Sequence, residues 1–215
     1  MKLKGAIFDL DGTLLDSMPL WENIGREYLK HKGVNPPENL NEILAAMNLS
    51  QSARYFKEVF SIPGSEEEII REIIGLIESG YLYTLSLKAS VIPFLDRLHK
   101  NNVRMCIATA TDRDLAEAAL ERLGVLKYFD FILSCSEARV GKDNPEFFRQ
   151  ALTLLKTPQH ETMVFEDALH AIKSAKAAGL LVAAVYDKSA HRHQEEIKSI
   201  ADIYLNSFAD GMMIL

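Results

Sequence analysis

A chain of 215 residues with 48% hydrophobic content holds enough apolar material for one full core and a second, smaller one. Its formal net charge of −6 repels phosphate backbones and acidic membrane faces, which argues against nucleic acid or a membrane as partner and for a small molecule. The two cysteines, Cys106 and Cys135, lie in apolar or strand-like surroundings without CxxC spacing, so buried reduced thiols and a cytoplasmic location are expected.

The chain starts MKLKGAIFDLDG, a basic flank whose apolar stretch ends at Asp9, too early for a signal segment, and nothing later approaches a membrane span. Ala6-Ile7-Phe8 reads as a first strand. The following stretch, 16–87, reads as helices throughout, with Gly33, Pro36-Pro37 and Pro63-Gly64 dividing it into about four. Ile69, Ile70, Ile73, Ile74 and Ile77 form an amphipathic stripe expected to be core, and Glu66-Glu67-Glu68 opens that helix where the macrodipole favours negative charge. His31, just before Gly33, reads as a cation at a helix C-terminus.

Beyond Val91 short apolar runs alternate with helical patterns. VRMCIAT (103–109), FDFIL (129–133), TMVFE (162–166) and LLVAAVY (180–186) read as strands, each of the first three followed by a helix, and Gly124 and Gly179 as helix stops. The fold class is therefore α/β, a doubly wound parallel sheet of Rossmann-like type with an inserted helical domain. The expected division is 1–15 and 88–215 for the α/β core and 16–87 for the insertion.

The chemistry gathers at the strand ends. In a strand, side chains two apart share a face, so Asp9 and Asp11 project to one side while Gly12 permits a tight turn. Two carboxylates about 4 Å apart repel by roughly 4 kcal/mol at an effective dielectric near 20, so the pair needs a proton, a cation or a cationic side chain close by. TMVFE-Asp adds Glu166 and Asp167 at the same edge of the sheet, where ligands of open α/β sheets bind. An all-oxygen set of this kind suits magnesium, and Thr109 with Lys142 supplies a hydroxyl and a positive charge for a phosphoryl group.

In order and spacing, DLDGT at 9–13, Thr109 closing an apolar strand, GK at 141–142 and ED at 166–167 resemble the four motifs of the haloacid dehalogenase superfamily, and the helical insertion resembles the cap domain of its β-phosphoglucomutase-like and phosphatase members. The resemblance implies a magnesium-dependent phosphatase, acting on a sugar phosphate or nucleotide-like monoester through an aspartyl phosphate. Asp9 is implied as nucleophile and Asp11 as general acid and then base. Gly12, Thr13, Thr109, Ala110 and Lys142 are implied as phosphate ligands. Asp9, Asp167 and the main-chain carbonyl of Asp11 are implied as metal ligands, with Glu166 supporting or acting through water. Asp11 distinguishes this pattern from a dehalogenase, which displaces halide without needing a proton.

One departure from the family pattern is Asp143, where GKPxP would place a proline, and it bears on the stiffness of the loop that carries Lys142. Trp21, Asn48, Ser50, Gln51 and Arg54 are expected nearest the substrate from the insertion. A phosphosugar mutase would carry a histidine near Trp21 and an arginine near Gln51, which disfavours that alternative. A receiver-like phosphorylation module is shorter and lacks the insertion, and a silent binding scaffold has no reason to keep a repulsive acid cluster. His170, His191 and His193 lack ligand spacing and read as surface residues. The chain is expected to act as a monomer.

Overall fold

The structure, a computed structural model, describes residues 3–44 and 47–214. The chain divides into two compact units, an α/β unit of Met1–Asp16 with Leu85–Leu215 and a helical unit of Ser17–Thr84. In chain order, β1 (Gly5–Phe8) leads into the helical unit, which comprises α1 (Met18–His31), α2 (Leu40–Leu44), α3 (Leu49–Phe60), α4 (Glu66–Ser79) and a π-helical turn at Gly80–Thr84. The α/β unit then continues with α5 (Val91–Lys100), β2 (Arg104–Thr109), α6 (Arg113–Arg122), β3 (Ile132–Ser134), α7 (Cys135–Ala138), α8 (Pro145–Leu155), β4 (Thr162–Glu166), α9 (Leu169–Ala177), β5 (Leu181–Val185), α10 (Gln194–Ile200), β6 (Ile203–Leu205) and α11 (Phe208–Ile214).

All six strands are parallel, in the order β3-β2-β1-β4-β5-β6. β1 is central, with Phe8 in register with Ile107 on one side and Phe165 on the other, and its four residues are buried. The near-continuous apolar strands follow from a sheet covered on both faces. On one face, Ile7, Cys106, Val164 and Val182 pack with Phe147, Phe148 and Ala151 of α8, Ala171 and Ile172 of α9 and Ile197 of α10. On the other, Phe8 stacks on Phe165 at 4.5 Å between centroids, and Phe94 of α5 and Phe208 of α11 close over them. This doubly wound sheet is the fold class the sequence implies.

Two details differ from the expectation at the sheet's edges. The third strand begins later, at Ile132, because residues 126–128 form a 3-10 turn that ends at Phe129. β6 has no counterpart in the sequence reading, since a run of three residues carries too little periodicity to stand out.

The helical unit explains its own sequence. Asn48 and Gln51 form a reciprocal capping box at α3, and Ser65 and Glu68 form another at α4, so each helix start satisfies two otherwise orphaned amides. Ile69, Ile73 and Ile77 are buried, but Ile74 is 39% exposed, so the apolar stripe is narrower than five isoleucines. The buried face joins Tyr28 and Leu29 of α1, Leu40 of α2 and Ala53 and Phe56 of α3. Gly80 lets the chain pass Leu20, whose Cδ2 would lie 2.5 Å from a Cβ at that position.

The sequence-derived limits assign Asp16 and residues 85–87 to the insertion, whereas the structure groups them with the α/β unit. Here the outgoing and returning segments pair: Asp16 N–H donates to the Ser86 carbonyl at 3.0 Å, Leu15 bridges Leu87, and Lys88 N–H donates to Leu14 at 2.8 Å. Arg122 adds a 2.6 Å bond to the Leu85 carbonyl. Among the described residues no helix is long and apolar enough to cross a membrane.

Candidate active site

Asp9 follows the last residue of β1, and its N–H still donates to the Phe165 carbonyl at 3.0 Å, which holds it in the sheet frame. The chain then turns sharply. Gly12 adopts φ +81°, and both Leu14 and Leu15 donate to the Leu10 carbonyl at 2.9 and 2.8 Å. The Gly12 N–H donates to the Leu15 carbonyl at 3.0 Å, which closes the turn. The result leaves Asp9 buried and Asp11 half-buried at the C-terminal edge of the central strand.

The end of β4 and the loop between α7 and α8 converge there. Lys142, 8% exposed, donates to Asp9 Oδ1 and, at 2.8 Å, to Glu166 Oε2. Glu166 Oε1 accepts the amides of Asp167 at 3.2 Å and Ala168 at 3.1 Å, so both of its oxygens have protein partners. Asp167 is 5% exposed and accepts from the Thr13 hydroxyl at 3.0 Å. Oxygens of Asp9, Glu166 and Asp167 all lie within 4.8 Å of one another.

Three buried carboxylates lie around one ammonium, and the titration of Asp9, Asp167 and Lys142 reflects that imbalance. Burial, and then the charge of Glu166, pushes the Asp9 carboxyl up to about 6 against the pull of Lys142. Asp167 rises well above the usual carboxylate range for the same first reason, then through Glu166 and Asp9. Burial works to lower the Lys142 ammonium, but Asp9 and Glu166 together outweigh it and hold the group charged above its ordinary value. A divalent cation accepting oxygen ligands fits this set, because it would relieve a net negative charge that the protein itself leaves uncompensated.

Thr109 is fully buried at the end of β2, with its Oγ1 accepting the Thr111 amide at 3.0 Å. Ala110 is exposed directly after it. Thr111 donates from Oγ1 to Asp11 Oδ2 at 2.6 Å. Sequence reading missed this contact and the Thr13–Asp167 bond. Asp112 occupies the N-cap position without a side-chain cap bond. Lys88 was also overlooked: it pairs with Asp187 at 2.7 Å, donates to the Tyr186 carbonyl at 2.9 Å, and its charge acts on Asp167.

The loop bearing Lys142 is ordered without the family proline. Asn144 N–H donates to the Gly141 carbonyl at 3.1 Å, and the Asn144 side chain caps α8 through the Glu146 amide at 3.0 Å, with Pro145 opening that helix. Asp143 Oδ1 lies where a Cβ on Gly141 would sit 2.5 Å away, so the glycine makes room for the substituted residue.

Other expected residues lie within the helical unit. Trp21 is 39% exposed and donates to the Tyr81 hydroxyl at 3.1 Å. Asn48 and Gln51 bind one another's amides, and Arg54 pairs with Glu66 at 3.0 Å. Ser50 is exposed. His170, His191 and His193 are exposed, as expected. Cys106 is buried, but Cys135 is half-buried at the start of α7, a correction to the expectation of two buried thiols.

Residues 6–185 match the family of haloacid dehalogenase-like hydrolases. The chain belongs to this family. Among haloacid dehalogenase-like relatives, a phosphorylated carbohydrates phosphatase of Thermotoga maritima is 25% identical over 178 residues, covering 83% of this chain and 82% of its own length. A fructose-1-phosphate phosphatase of Escherichia coli is 28% identical over 181 residues, covering 82% and 93%. In structure, a candidate beta-phosphoglucomutase from Thermotoga maritima superposes with a TM-score of 0.82 at 24% identity, over 94% of each chain, and so shares the fold.

Proposed function

We propose that this chain, a phosphoric monoester hydrolase, removes phosphate from a small phosphorylated sugar through an aspartyl phosphate on Asp9. The observation that carries the reading is the convergence of Asp9, Glu166 and Asp167 within 4.8 Å around the Lys142 ammonium, at the ligand-binding edge of the sheet. The sugar class is supported by the names of two relatives, a phosphorylated carbohydrates phosphatase and a fructose-1-phosphate phosphatase.

The chain's own residues divide the work. Asp9 attacks phosphorus as an O–P bond forms and the ester oxygen departs. Asp11 gives its proton to that oxygen, then takes one from the water that attacks phosphorus as the Asp9 O–P bond breaks, so Asp9 returns as a carboxylate and Asp11 as the protonated acid. Lys142 keeps Asp9 ionised and aimed, and with the Thr109 hydroxyl it offers donors to the transferring oxygens. Glu166 holds Lys142, and Thr13 holds Asp167. Asp9, Asp167 and the Asp11 carbonyl would hold magnesium, which when bound offsets the negative charge of the carboxylates and of the ester.

The test is release of inorganic phosphate from p-nitrophenyl phosphate and from a panel of sugar phosphates. Asp9→Asn is expected to abolish it, as is EDTA added to the unaltered protein. Full activity surviving either change overturns the mechanism. Conversion of a sugar phosphate to its isomer without phosphate release would identify a mutase instead.

A further inference from the structure

We propose that Thr111 is the positioning residue for Asp11: its hydroxyl fixes the carboxyl group that hands a proton to the departing ester oxygen. The inference rests on the reading of Asp11 as general acid. Asp11 follows β1 on a turn and is half-buried. The Thr111 Oγ1–Asp11 Oδ2 bond of 2.6 Å constrains the carboxyl group directly, joining residues 100 positions apart.

Thr111 is itself well placed to do so. Its N–H is held 3.0 Å from Thr109 Oγ1, at the end of a buried strand in register with β1. Its β-branched side chain has few χ1 choices, so an anchored backbone delivers an anchored hydroxyl. Thr111 precedes the N-cap position of α6, which Asp112 occupies. Here the hydroxyl goes to Asp11, and Asp112 at the N-cap makes no side-chain cap bond. The same bond places the Thr109 lone pair on an amide, so the Thr109 hydroxyl hydrogen can point elsewhere, toward a phosphoryl oxygen.

In the step concerned, the O–P bond from Asp9 forms as the ester P–O bond breaks, and the Asp11 proton passes to the leaving oxygen. Thr111 retains its own proton throughout. The need for that transfer depends on the leaving group. An alkoxide leaves poorly without a proton, whereas p-nitrophenolate leaves without one. Loss of positioning therefore falls selectively on alkyl esters, a pattern that general damage to the fold does not produce.

The experiment compares kcat/KM for glycerol phosphate and for p-nitrophenyl phosphate in the wild type, Thr111→Val, Thr111→Ser and the Asp11→Asn and Asp11→Asn/Thr111→Val pair. Thr111→Val is expected to lose roughly thirtyfold or more on the alkyl ester, at least tenfold more than on the aryl ester, within the range general acids contribute. Thr111→Ser restores most of that loss, and in the Asp11→Asn background Thr111→Val adds no further alkyl-selective loss. If Thr111→Val does not fold, Thr111→Ala is read in the same way. Equal losses on both esters, or a Thr111→Ser variant as poor as Thr111→Val, overturn the inference while leaving the phosphatase reading intact. A wild-type protein that cleaves neither ester overturns both.

Discussion

Lys142 carries the electrostatics of the candidate site. Its ammonium is buried between Asp9 and Glu166, and Asp167 lies within 4.8 Å of both carboxylates. A buried pair gains little over an apolar replacement of both partners, but removing one partner leaves the other uncompensated. Lys142→Met is therefore expected to lower the unfolding free energy by about 3 kcal/mol in urea titrations with EDTA present, with part of the loss recovered by added magnesium. No change in stability would mean that the carboxylates take up protons without strain. Asp9→Asn has the opposite sign, because it removes a member of the repelling set. Its melting temperature in EDTA should equal or exceed that of the wild type, which separates loss of chemistry from loss of fold.

At the scale of elements, the sequence was legible wherever the signal was local. TMVFE and PEFFRQALTLL mark β4 and α8 to the residue, since an apolar run and a proline-led amphipathic stretch are each complete in themselves. The acids and Lys142 were legible by their order along the chain. Contacts such as Thr13–Asp167 and Thr111–Asp11 were not, because they join residues 154 and 100 positions apart and depend on strand register. At Gly12 the tight turn was legible, since a positive φ favours glycine, while the bond from its amide to the Leu15 carbonyl was not. The capping box at α4 is local but was overlooked behind the three glutamates that follow it. Ser65→Ala removes one side of that box and should lower stability by about 1 kcal/mol, read from the urea unfolding of the helical signal. An unchanged midpoint would show that the acidic first turn alone sustains the helix start.

For the molecule as a whole, the raised carboxyl groups give folding an unusual pH dependence. Asp9 has an ordinary value of 3.8 and is held at about 6 in the folded state, and Asp167 is also raised. Between those two values the folded protein therefore binds more protons than the unfolded chain, so stability falls as pH rises through that window. Most native carboxylates, paired or hydrogen-bonded, act in the opposite sense. Magnesium held by these residues would bind the ionised cluster and compete with those protons, so its stabilising effect is expected to grow over the same window. Thermal unfolding in EDTA and in millimolar magnesium, followed from about pH 5 to about pH 7, should show two curves that nearly meet at the acid end and separate as pH rises. In Asp9→Asn, which lacks one of the two titrating groups, the separation should shrink and its pH dependence flatten. Parallel curves in the wild type would place magnesium binding, if any, away from the buried carboxylates at the ends of β1 and β4.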